Sequence, residues 1–119
     1  MIEKNPDAKL LRIFVGESDK HGAVPLYESI VFEAKKQGLA GATAMRAIMG
    51  FGANSIVHTA KLIEISSDLP IVIEIVDVEE KIRKFVEHIE ALFEQTKAGG
   101  LITIEKAEVI RYRPSTKQS

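Results

Sequence analysis

The feature that most restricts this sequence is a strand pattern that runs straight into a helix pattern. Ile71 to Val76 is nearly all apolar, as a strand covered on both faces would be. Val78, Ile82, Phe85, Val86, Ile89, Leu92 and Phe93 then recur at helical spacing and give one continuous apolar stripe. Asp77 and Glu80 stand where a capping box would start that helix, and Gly99-Gly100 would stop it. A strand followed this closely by an amphipathic helix fits an α+β domain in which the helix packs on the sheet.

The rest of the chain supplies partners for this unit. Lys9 to Val15 reads as a strand with Leu11, Ile13 and Val15 on one face, ended by Gly16. Gly16 to Val24 reads as a polar loop. Pro25 suits a helix start, and Leu26, Tyr27, Ile30, Val31 and Ala34 form a helical stripe that leaves Phe32 off it. Lys35 and Lys36 fall in the last turn, before Gly38. Ala42 to Met49 reads as a second strand, broken by Gly50-Phe51-Gly52; Thr59 to Ile65 could return as a strand, beside the stronger pattern of Ile71 to Val76. A last strand runs from Leu101 to about Arg113, its alternation broken near Lys106-Ala107. The order is βαββαβ. Two right-handed crossovers then predict a ferredoxin-like sandwich, an antiparallel sheet with two helices on one face. One domain over 9–113 is expected, with a flexible segment at 1–8 and a polar tail at 114–119.

Composition narrows the chemistry. The 119 residues include no cysteine, so disulfides and thiolate sites are excluded. The formal net charge of −1 gives no global attraction to nucleic acid or anionic membranes. The N-terminal residues lack the pattern of a secretory signal, and no apolar run reaches the roughly 20 residues that span a bilayer. A cytoplasmic protein without membrane insertion and without a nucleic-acid partner is the expectation.

Several residues could carry function. Gly50-Phe51-Gly52 is either a tight turn or a place where backbone N–H groups meet a ligand. Lys97-Ala98-Gly99-Gly100 is either a helix cap or a phosphate cradle. Arg111 and Arg113, two apart on a strand, would share a face, either presenting two guanidinium forks to an anion or making surface ion pairs on a solvated edge strand. Glu17, Asp19 and the loop histidines His21 and His58 are the candidate acid–base or cation-binding groups. No phosphate-binding P-loop, nucleophile elbow or metal-ligand spacing is present.

Taken together, Gly16-Glu17-Ser18-Asp19-Lys20, Pro25-Leu26-Tyr27-Glu28-Ser29-Ile30, Gly38-Leu39-Ala40-Gly41-Ala42-Thr43, Gly50-Phe51-Gly52, His58-Thr59-Ala60-Lys61 and the run from Asp68 to Asp77 resemble the DUF190 family. That family is similar to the PII nitrogen-regulatory proteins. The likeness lies in Gly38 to Thr43, in Gly50-Phe51-Gly52, in Leu69-Pro70 and in Val109-Ile110-Arg111-Tyr112-Arg113. The resemblance implies a homotrimeric signalling protein, not an enzyme, with no covalent cofactor and no metal. It implies an adenine nucleotide (ADP, AMP or ATP) held between subunits by Thr43, Gly50, Phe51, Gly52, Gly99, Gly100, Arg111 and Arg113. It implies a partner loop from Ala53 through Asn54, Ser55, Ile56, Val57 and His58 towards Leu69, read by an unidentified protein, with a membrane transporter as one candidate. Gly100 stands where PII proteins usually carry a lysine. A small enzyme using Glu17, Asp19 or His58, and a metal-responsive trimer, are the alternatives.

Overall fold

A computed structural model of the chain describes residues 2–51 and 68–116. The expected strand from Thr59 to Ile65 lies outside them, as do Gly52 and the partner loop from Ala53 to His58. The elements are β1 (Ala8–Gly16), β2 (Lys20–His21), β3 (Val24–Pro25), α1 (Leu26–Lys36), β4 (Thr43–Arg46), β5 (Pro70–Val78), α2 (Glu79–Thr96) and β6 (Leu101–Lys106). The main sheet has four strands in the order β4-β5-β1-β6, and every neighbouring pair is antiparallel. With α1 and α2 as the crossovers, this is the expected ferredoxin-like α+β arrangement.

One core joins the layers. Leu11, Ile13 and Val15 of β1 and Ile71, Ile73 and Ile75 of β5 alternate with less buried neighbours, so they line one face of the sheet. Leu26, Ile30 and Ala34 of α1 and Ile82, Phe85, Ile89 and Leu92 of α2 close over that face in a single cluster. Both helical stripes are thus satisfied from one side. Phe32, off the α1 stripe, is 63% exposed.

Five local expectations are corrected. The apolar run of β5 is covered on one face only: Val72, Glu74, Val76 and Val78 remain half-buried on the other. On that outer face Arg12 pairs with Glu74 at 2.8 Å and also with Glu105. The second strand is short because its ladder on β5 reaches Pro70, which has no N–H to continue it, and the last bond is Ala47 N–H to the Pro70 carbonyl at 2.9 Å. The last strand ends at Lys106 because β1 begins at Ala8, whose carbonyl takes the Ala107 N–H at 3.1 Å. The capping box at α2 does not form, since Val78 is the N-cap and makes no side-chain cap bond. Asp77 instead turns inward. A short β2–β3 hairpin also interrupts the expected loop between β1 and α1.

The C-terminus of α2 carries a testable strain. Lys97 caps it in the left-handed region, at φ 59° and ψ 24°. That conformation suits glycine and is costly for a residue with a Cβ. Lys97→Gly is expected to raise stability by about 0.5–1 kcal/mol, net of the greater entropy glycine brings to the unfolded chain. Thermal denaturation of the two proteins checks it.

Candidate functional site

Two segments distant in sequence meet over the outer side of the sheet. The first is the α1–β4 connection. Gly38 leaves α1 at φ +76°, and Leu39 N–H bonds back to the Ala34 carbonyl at 3.1 Å. From below, the buried Asp77 carboxylate accepts the Ala40 N–H at 2.9 Å and the Val78 N–H at 2.7 Å. Lys81 Nζ donates to the Gly38 carbonyl at 3.1 Å. The loop from Gly38 to Ala42 is therefore fixed by its own helix and by the β5–α2 junction.

The second segment follows β6. Val109 accepts the Lys4 N–H at 2.9 Å, and Glu3 Oε1 accepts the Tyr112 N–H at 2.9 Å and Arg113 Nε at 3.4 Å. Ile2 is buried. The N-terminal residues, expected to be loose, are thus tied to the C-terminal segment, because Ile2 has apolar surface to bury and Glu3 meets donors there. Tyr112 Oη donates to the Ala40 carbonyl at 2.5 Å.

Between these segments lies a cleft of about 340 Å³. Ile2, Leu10, Val76 and Val109 supply apolar walls, while Thr43, Glu74, Arg111 and Tyr112 supply polar groups beside the backbone of Ala40, Gly41 and Ala42. An apolar floor with a few convergent polar groups is the usual make-up of a small-molecule site. The Glu3 carboxyl is held below its ordinary value of 4.5, first by the Tyr112 N–H and then by Arg113 and Arg111. A depressed carboxyl stabilises above its unfolded value, and that contribution is lost as pH falls through the folded one. The Tyr112 amide resonance is therefore expected to titrate with a midpoint below 4.5, as the C-terminal segment loosens in acid.

The expected site residues divide. Thr43 and Arg111 share the cleft. Arg113 pairs with Glu3, and with no strand beyond Lys106 the two arginines do not stand two apart on one strand face. Gly50 packs near Pro70 beyond the β4 edge, with Phe51 69% exposed beside it. Gly100 precedes β6, on the opposite edge of the sheet. A Cβ on Gly100 would lie 2.6 Å from the Phe14 carbonyl oxygen and 2.9 Å from the Phe93 ring, so close packing requires the glycine. A separate cleft of about 530 Å³ runs beside Gly100, with Glu90, Glu94 and Lys97 on its wall. With β5 and β1 between the two edges, at about 4.8 Å per strand step, Gly50 and Gly100 of one chain stand on opposite edges of the sheet and do not line one cleft.

Of the alternative acid–base groups, Glu17, Asp19 and His21 are engaged, and His58 lies outside the described residues. Glu17 pairs with Arg46 at 2.9 Å, and Asp19 Oδ2 accepts the Gly16 N–H at 2.8 Å. His21 Nδ1 lies 3.2 Å from Ser29 Oγ, and His88 Nε2 lies 3.0 Å from Glu33 on α1. Among the described residues no group of three or more His, Cys, Asp or Glu side chains is placed to hold a metal ion. Among them, too, no helix is long and apolar enough to cross a membrane. Sequence reasoning missed Glu3 and Asp77 as the groups that brace the two walls of the cleft, and the Tyr112 hydroxyl within it. Only Tyr112 had a local signal, its place between two arginines.

The strand order and the one-sided helix layer define the fold of PII-like proteins, and solved structures agree. CPII, a nitrogen regulatory PII-like protein from Thiomonas intermedia K12 bound to ADP, AMP and bicarbonate, superposes with a TM-score of 0.63 at 20% identity, over 87% of this chain and 89% of that one. A putative PII-like signaling protein from Thermus thermophilus gives a TM-score of 0.58 at 19% identity, over 84% and 86%. The chain belongs to the DUF190 family (Uncharacterized ACR), whose model matches residues 8–109. A UPF0166 protein of Aquifex aeolicus (strain VF5) is 45% identical over 102 residues, 86% of this chain and 92% of its own length. A UPF0166 protein of Methanocaldococcus jannaschii is 34% identical over 87% of this chain and 93% of its own.

Proposed function

We propose that this chain is a PII-like regulator that binds an adenine nucleotide and reports its presence to a partner protein. The observation that carries the reading is the cleft in which Thr43 and the fixed Ala40–Ala42 backbone face Arg111 over an apolar floor. Its size suits a purine base, and Arg111 suits a phosphate. The CPII structure, bound to ADP and AMP, supports an adenine nucleotide as the ligand class.

In this reading residues 9–113 form the single domain of a homotrimer in the cytoplasm. Gly50, Phe51 and Gly52 of one subunit and Gly99, Gly100 and Arg113 of the next complete the nucleotide site, since one chain keeps the two glycine turns on opposite sheet edges. The half-buried outer face of the sheet beyond the cleft, with Phe14 and Val72 beside the Arg12 ion pairs, offers apolar surface to pack on another copy. The nucleotide biases the conformation of 53–69, and a partner, with a membrane transporter as the candidate, reads the result. The chain itself does no chemistry.

Isothermal titration with AMP, ADP and ATP tests the proposal. Saturable binding of at least one is expected. No heat and no thermal shift with any of the three would sink it.

A further inference from the structure

We infer that the Tyr112 hydroxyl gates this cleft by occupying the Ala40 carbonyl, and that this carbonyl selects bases carrying an exocyclic amine. The inference rests on the nucleotide reading above and adds to it a gating group and a selection rule.

Ala40 is held so that its two polar groups do different work. Its N–H is spent on the buried Asp77 carboxylate, 2.9 Å away. Its carbonyl is left to face the cleft, where Tyr112 Oη donates to it at 2.5 Å. The Tyr112 ring lines the same cleft and is 47% exposed, so it stands in the approach to that carbonyl. Its backbone is tethered by Glu3, while nothing packs it as the core residues are packed. The hydroxyl is thus an internal donor placed where a ligand's donor would go.

A carbonyl oxygen only accepts hydrogen bonds. An adenine amine can replace the tyrosine hydroxyl as donor, so the bond lost on opening is regained on binding. A hypoxanthine offers an oxygen at the same ring position and cannot donate from it. It would leave the carbonyl facing another acceptor, a cost an amine-bearing base avoids. The gate therefore opens at little net loss for an adenine ligand and at greater loss for its deaminated analogue.

The test is titration of the full chain with AMP and with IMP, for the wild type, Tyr112→Phe and Glu3→Gln. Tyr112→Phe keeps the ring and removes only the competing donor. It is expected to bind AMP about three- to tenfold more tightly, the worth of one net hydrogen bond. Glu3→Gln, which weakens the tether of the Tyr112 backbone, is expected to change AMP affinity in the same direction. The wild type is expected to prefer AMP over IMP by about tenfold or more. Unchanged or weaker AMP binding by Tyr112→Phe, with an unchanged melting temperature, overturns the gate alone. Equal affinity for AMP and IMP overturns the selection rule alone. If neither wild type nor variants bind AMP, the nucleotide reading itself falls, and the gate with it.

Discussion

Replacing Asp77 with alanine is expected to lower stability by about 2–4 kcal/mol, a large effect for a residue at the end of a strand. Its side chain is only 2% exposed and accepts two backbone N–H groups, from Ala40 and Val78. Truncation strands both donors, each at about 1–3 kcal/mol if water does not reach it. Asp77→Asn keeps one acceptor oxygen and should lose roughly half as much. Chemical denaturation measures both. An alanine variant within about 0.5 kcal/mol of the wild type, the spread of ordinary surface substitutions, would show that the carboxylate is not what fixes the Ala40 loop.

Arg111→Ala is expected to weaken AMP and ADP binding by about 10- to 100-fold, as for a lost hydrogen bond to a charged group. Adenosine, which has no phosphate, should be affected far less. Arg111→Lys keeps the charge but loses the planar fork, and should fall between. Arg113→Ala is expected to weaken binding less than Arg111→Ala, because its guanidinium is already engaged by Glu3 within the chain. Calorimetric titration separates the four cases. An Arg111→Ala protein that binds AMP like the wild type would remove the arginine from the phosphate site.

What could be read from the sequence follows the range of the forces involved. The helical stripes of α1 and α2 and the alternation of β1 are local patterns, and each buries the residues its period selects. The α+β topology follows from their order. Element ends depended on distant partners. Thr43–Arg46 stops where Pro70 cannot donate, and Leu101–Lys106 stops where β1 has no residue left to pair. Asp77 looked like a helix cap because Asp before an amphipathic stripe usually is one. The structure spends it on Ala40, 37 positions away in sequence. The cleft joins residues from 2 to 112, and no local period encodes that closure.

The crowding at Gly100 reaches beyond this chain. The PII proteins it resembles usually carry a lysine at that point, yet here any side chain would collide with main-chain oxygen 2.6 Å away. A single codon change cannot restore that ammonium group without moving β1 or Phe93. In this chain the obstacle is main-chain packing and not residue choice alone, so a lysine placed at Gly100 by analogy would first have to displace the edge of the sheet.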